Sequence, residues 1–244
     1  MRDCGQFTPP TGSPPGTSQG LPARGMLAPS MADLVLKTGG KAQLFGRGET
    51  VVVLGHGAGG DRHTPMLVAL ASALERSGRA ALVYNFPYSE KRLRRPDPPA
   101  VLEAAAREAA SLARTESGAQ RVVHGGRSMG GRIASQVVAA GEAAAGLVLL
   151  GYPLHPPGQP EKRREAHLPA IEAPMLFVQG TRDALARPDL LEALLAGLGP
   201  RAERHDVAAA DHSFGVPKSS GRTPADVEEE VVRTVLGWLD RHRL

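Results

Sequence analysis

Five short stretches of this 244-residue chain are apolar almost from end to end, and this lack of alternation constrains the fold more than any other feature. They are residues 50–56 (TVVVLGH), 79–86 (RAALVYNF), 121–125 (RVVHG), 146–152 (GLVLLGY) and 174–179 (PMLFVQ). A strand with one wet face alternates apolar and polar residues, whereas a strand that is apolar throughout is buried on both faces. Helical patterns separate these runs. Pro65 follows a capping Thr64, an Ala/Glu stretch opens at Pro98-Pro99 and runs to about Ser117, and further helices are expected at 129–140, 188–198 and 224–241. Another strand is expected at 202–207, and a short hairpin at 33–36 and 41–45 around Gly39-Gly40. Strands alternating with helices predict an α/β fold with a doubly wound, mostly parallel sheet. In such sheets reactive groups gather at the carboxyl ends of the strands.

Residues 1–30 hold 11 Gly/Pro and 6 Ser/Thr with no apolar core segment, so they read as a disordered tail rather than a secretory signal, and residues 31–244 as one domain. Met26 and Met31 are plausible true starts. Cys4 is the only cysteine, which excludes an internal disulfide framework and a Cys-based zinc cluster. With no export signal and one thiol, the expected location is the cytoplasm. The formal charge of +4 is mild and calls for neither nucleic acid nor a membrane surface. No apolar run approaches the ~18 residues that a membrane helix needs.

At the end of the 121–125 run stands Gly126-Arg127-Ser128-Met129-Gly130, a G-x-S-x-G. Between a strand and a helix this spacing builds a sharp turn that lifts the serine hydroxyl above the sheet, with glycines where side chains would collide. The competing role for Ser128 is an ordinary helix N-cap. A serine nucleophile needs a base. Of eight histidines, His212 lies just past the last strand, at a carboxyl end, and is the candidate; the alternative is a surface loop histidine. Asp183 follows the 174–179 strand and is the candidate acid, with Asp189 and Asp211 as competitors and a turn cap as the alternative role. The oxyanion donors expected are the Met129 N–H and an N–H of the loop Gly55-His56-Gly57-Ala58-Gly59-Gly60, with Ala58 first and Gly57 second. His56 is expected to orient that loop. Gly55, Gly57 and Gly60 also fit the dinucleotide fingerprint G-x-G-x-x-G, but the next strand ends without the acid that would hold a ribose. The order Ser128, Asp183, His212 is that of the α/β-hydrolase arrangement.

These motifs together resemble one group of α/β hydrolases. It contains dienelactone-hydrolase-like bacterial hydrolases, a testis-expressed animal homologue and the third regulatory subunit of the non-specific-lethal chromatin complex. The matching segments are HGAGG at 56–60, FPY at 86–88, GGRSMGGR at 125–132, YPLHPPGQPEK at 152–162, HLP at 167–169, PMLFVQGTRD at 174–183 and DHSF at 211–214. The resemblance implies Ser128 as nucleophile, Asp183 as acid and His212 as base. The chain departs from dienelactone hydrolases proper by carrying Ser128 in place of their cysteine, which argues against dienelactone itself as substrate. The chromatin subunit implies that some members serve as assembly parts.

The expected fold is thus an α/β-hydrolase fold without a large cap domain, since the only insertion after the nucleophile helix is residues 154–172. The expected function is a serine hydrolase, a carboxylesterase or dienelactone-hydrolase-like enzyme, acting on a small soluble ester or thioester. The rival is an idle binding or scaffold protein on the same fold. Gly57, Tyr88 and Arg127 are expected to line the substrate. The basic run Lys91-Arg92-Leu93-Arg94-Arg95 is expected to rim the pocket and to favour an anionic group, the alternative being a solvated loop. One Trp, three Tyr and five Phe leave too few aromatics for a nucleic-acid stacking surface. No cofactor or metal is called for.

Overall fold

A computed structural model describes residues 1–2 and 33–244. The tail expected over residues 1–30 lies, from residue 3 onward, outside the described residues. The strands are β1 (Asp33–Val35), β2 (Lys41–Phe45), β3 (Thr50–Gly55), β4 (Ala80–Tyr84), β5 (Arg121–Arg127), β6 (Gly146–Leu150), β7 (Met175–Gly180) and β8 (Ala202–Val207). They form one sheet in the order β1-β2-β4-β3-β5-β6-β7-β8. The edge hairpin β1–β2 pairs antiparallel to β4, and β3 to β8 run parallel.

Helices cross between the strands. Helix α1 (Pro65–Arg76) links β3 to β4, and α3 (Pro99–Ser117) returns from β4 over β3 to β5. Helices α4 (Met129–Ala139), α5 (Pro188–Leu198) and α6 (Pro224–Arg241) follow β5, β7 and β8. A single turn, α2 (Pro87–Glu90), follows β4, which ends at Tyr84, two residues before the strand end the sequence predicts, and no element is predicted over 87–90. Alternate side chains of β3 explain its unbroken apolar run, because they point to opposite faces and both faces are covered. Val52 and Leu54 pack with Leu67 and Leu70 of α1 and with Trp238 of α6. Val51 and Val53 pack with Ala105 and Ala109 of α3 and with Ile133 of α4. A stripe of buried alanines on α3 lets its backbone lie close to the sheet.

Two caps behave differently. Thr223 closes a full capping box with Asp226 at the start of α6. Thr64 sits at the N-cap of α1 as predicted, but its hydroxyl donates back to the Asp61 carbonyl at 2.7 Å and caps nothing. That backward bond holds the hydroxyl over the preceding turn.

Strand order reverses at β3, with β4 on one side and β5 on the other. The crevice above the carboxyl ends of β3 and β5 is therefore the switch point where this class of sheet binds ligands. The β6–β7 connection carries only a 3-10 turn, Leu168–Ala170, so no large cap covers that crevice. The connection is pinned in place. The His155 Nδ1–H donates to the Pro156 carbonyl at 2.8 Å and its Nε2 accepts from the Arg187 N–H at 3.1 Å. The Ser135 hydroxyl donates to the Arg132 carbonyl, which leaves it to accept from His167 Nε2 at 2.8 Å. Among the described residues no helix is long and apolar enough to cross a membrane.

Burial, then the nearby Arg132 charge, draws His167 from 6.5 down to about 4. Burial also lowers His56 and His124. Below pH 6.5 the unfolded chain takes up protons that the folded chain refuses, so stability falls on acidification from pH 6.5 toward pH 4. His167 is partly exposed, and after discounting for screening its share is about 1–2 kcal/mol. Urea unfolding at pH 7.5 and pH 5 measures this loss, and His167→Gln should flatten it.

Candidate active site

The turn between β5 and α4 carries Ser128, and steric contacts dictate its shape. A Cβ on Gly126 would stand 2.2 Å from the Gly55 carbonyl oxygen, and one on Gly130 2.1 Å from the same atom. No side chain fits either position, so the backbone of β3 touches the turn directly. Ser128 takes φ 50° and ψ −113°, a conformation non-glycine residues rarely adopt and which costs of order 1–3 kcal/mol. It occupies the N-cap position of α4, yet its side chain makes no capping bond. The hydroxyl turns toward His212 instead.

The Ser128 Oγ lies 2.7 Å from His212 Nε2, and His212 Nδ1 lies 2.8 Å from Asp183 Oδ2. A carboxylate only accepts, so Nδ1 carries the hydrogen and Nε2 is left to accept from the serine hydroxyl. Asp183 follows β7 and is buried. Its Oδ1 accepts from the Leu185 N–H at 2.8 Å, and its Oδ2 also accepts from Gln179 Nε2 at 2.5 Å. Those donors replace the water a buried carboxylate loses. Gln179 in turn accepts from the Tyr152 N–H, tying β7 to the end of β6. The sequence reading missed Gln179; its signal was an amide closing an otherwise apolar buried strand.

His212 sits in a turn folded by Asp211, whose Oδ1 accepts from the Ser213 and Gly215 N–H groups. This commitment turns Asp211 away from the imidazole. Asp189, the other competitor, pairs with Arg187 at the exposed start of α5. The His212 turn rests on glycines at two strand ends. A Cβ on Gly180 would meet the Ala210 carbonyl at 2.4 Å, and one on Gly151 the His212 carbonyl at 3.3 Å.

The loop after β3 faces Ser128. A Cβ on Gly57 would stand 3.5 Å from the Ser128 Cβ. Among the described residues the Gly57 and Ala58 N–H groups have no hydrogen-bond partner. Met129 is the first residue of α4, so its N–H has no intrahelical partner. Of these, Gly57 and Met129 adjoin the serine. His56 holds the loop. Its Nδ1–H donates to the Gly57 carbonyl at 2.8 Å, and its Nε2 accepts from the Phe86 N–H at 3.1 Å. Tyr88, expected at the substrate, is 1% exposed and supports the loop from behind, its hydroxyl 3.4 Å from the Gly59 N–H. Arg127 is half-buried; its Nη2 donates to the His212 carbonyl at 3.3 Å and to Ser213 Oγ at 3.0 Å.

Beside the loop lies a cavity of about 260 Å³ lined by Gly59, Gly60, Tyr88, Ser89, Arg92 and Arg94. A larger cavity, about 570 Å³, lies along α3 against Lys37 and Glu108 and contains none of the groups above. Among the described residues no cluster of three or more His, Cys, Asp or Glu could hold a metal ion.

Fold and turn together define an α/β hydrolase. The chain belongs to the alpha/beta hydrolase domain family, which matches residues 48–240. Solved structures share the fold at low identity. A lidless α/β serine hydrolase from Xanthomonas campestris aligns at 19% identity and TM-score 0.67, over 87% of this chain and 97% of that one. A dienelactone hydrolase from Anabaena variabilis aligns at 20% identity and TM-score 0.66, over 86% and 96%. An α/β serine hydrolase homologue from Coxiella burnetii aligns at 19% identity and TM-score 0.65, over 80% and 91%.

The glycine contacts give a direct test by thermal unfolding. Gly130→Ala should cost at least about 3 kcal/mol, roughly 6–12 °C in Tm, because backbone rather than a movable side chain blocks the methyl group. Gly197→Ala, in α5 with open space around it, should be neutral or stabilising by up to ~1 kcal/mol.

Proposed function

We propose that this chain is a serine hydrolase that cleaves a small soluble ester or thioester through an acyl-enzyme. The observation that carries this reading is the unbroken line Ser128 Oγ, His212 Nε2, His212 Nδ1, Asp183 Oδ2, with each link at 2.7–2.8 Å. Ser128 attacks the carbonyl carbon while His212 takes its proton. Asp183 holds the imidazole tautomer and stabilises the imidazolium that forms. The oxyanion is assigned to the amides of Met129 and Ala58, with Gly57 as second choice for the latter. His212 then returns its proton to the leaving alcohol or thiol. Water, deprotonated by the same base, releases the acid.

Absence of a large cap favours soluble substrates over an aggregated lipid surface. Lys91, Arg92, Arg94 and Arg95 are exposed and have no ion-pair partner among the described residues. The nearby carboxylates accept other hydrogen bonds, Asp97 from the Tyr88 N–H, Glu90 from the Lys41 N–H and Asn85, and Asp61, on the same cavity wall, from the His63 N–H. This loop favours substrates bearing a carboxylate or phosphate. A second reading, an idle scaffold on the same fold, rests on the motif resemblance to the testis-expressed and chromatin-complex group; the hydrogen-bonded Ser–His–Asp line favours the enzyme.

A fluorophosphonate probe tests the reaction. Wild-type protein should acquire one adduct, located by mass spectrometry on Ser128. Ser128→Ala and His212→Ala should abolish it, and Asp183→Asn should slow ester turnover by about 10⁴-fold. No adduct on folded wild type would instead support the scaffold reading. On a charge-graded panel of 4-nitrophenyl esters, the hemiglutarate should exceed the butyrate in kcat/KM, and Arg92→Glu/Arg94→Glu should reverse that ratio.

A further inference from the structure

Three loops must keep register for the serine, its base and the free amides to meet, and one side chain touches all three. Arg127 ends β5, immediately before Ser128. Its Nη2 donates to the main-chain carbonyl of His212 and to the hydroxyl of Ser213. Its Nη1 lies against the loop after β3, 2.8 Å from where a Cβ on Gly57 would stand. We infer that Arg127 is a positioning residue that clamps the base turn and the oxyanion loop to the nucleophile strand. This assignment rests on the serine-hydrolase reading.

The division of labour around His212 supports it. Asp183 and Ser128 hold the imidazole at its two nitrogens, but neither bond fixes the main chain that carries the ring. Asp211 folds the turn on itself without joining it to anything else. Arg127 supplies the missing link by holding the main chain of His212 to the strand that carries Ser128. A planar guanidinium can serve two acceptors and pack a third loop at once, which an ammonium cannot do with the same geometry. Burial lowers its pKa, while Asp183 and Asp211 pull the other way, so the side chain stays a cation between two carboxylates. The charged groups around the imidazole are thus Asp183 after β7, Asp211 on its own turn and Arg127 at the end of β5.

The test is the rate of fluorophosphonate labelling at Ser128 against pH, for wild type, Arg127→Ala, Arg127→Lys and Ser213→Ala. Displacement of the base by ~1 Å costs about a hundredfold, so Arg127→Ala should label about a hundredfold more slowly. Loss of the cation favours the imidazolium, so the acid limb of the profile should also move to higher pH. Arg127→Lys should keep the wild-type limb and recover only part of the rate. Added guanidinium ion should speed Arg127→Ala but not Ser128→Ala. Ser213→Ala removes one of the two bonds and should slow labelling by a few-fold, which keeps the clamp testable if Arg127→Ala does not fold. Slow labelling in Arg127→Ala with an unmoved limb and no rescue would make Arg127 a scaffold residue and overturn the assignment. A labelled wild type beside an unaltered Arg127→Ala would sink the clamp alone. An unlabelled, folded wild type would sink the hydrolase reading and the clamp with it.

Discussion

The contact on which the rest of this structure depends is backbone against backbone: the carbonyl of Gly55 pressed between Gly126 and Gly130. With no side chain at any of the three, β3 and the turn after β5 approach closely. That closeness puts Gly57, in the loop after β3, beside Ser128. It also leaves Ser128 in a left-handed conformation from which its hydroxyl cannot cap α4. The strain at Ser128 is offset elsewhere, by a core that covers both faces of the sheet.

Glycines repeat that logic at the next strand ends. Gly151 after β6 and Gly180 at the end of β7 leave room for the turn that carries His212. The polar groups around them are committed one by one. Gln179 and Leu185 hold Asp183, Asp183 holds His212, and Asp211 shapes its turn. Histidines outside this line do structural work of a different kind. His56 and His155 each donate from Nδ1 to a neighbouring carbonyl and accept at Nε2 from a distant N–H, so each pins a loop through one neutral ring.

Much of this was legible in the residues themselves. The buried strands announced themselves through unbroken apolar runs, and the helix bounds through Pro65, Pro99, Pro188 and Pro224 at first-turn positions. Ser128, Asp183 and His212, which the structure brings into hydrogen-bond contact, can be singled out because parallel sheets gather such groups at one edge, so a residue just past a strand carries a spatial address. What escaped was whatever depended on the direction of a side chain. Thr64 stands at a helix start but bonds backward. Tyr88 follows a strand end, as a substrate residue would; it is nearly buried, with its hydroxyl under the loop at Gly59 and one edge on the neighbouring cavity. Arg127 was read toward the substrate, while the structure shows it bonded to the base turn. The single helical turn at Pro87–Glu90 was missed because four residues carry no period.

The groups converging on Ser128 come from the ends of β3, β5, β7 and β8, so more than 150 residues of chain separate Gly57 from His212. The bonds that join Ser128 to His212 and His212 to Asp183 are not local. A parallel sheet of this kind closes long loops before its pairings stabilise it, and the proposed nucleophile meets its base only when β8 has docked. Partly folded chains would therefore hold that serine apart from its base, and under the proposed chemistry a nascent chain released early by the ribosome could not attack the esters around it.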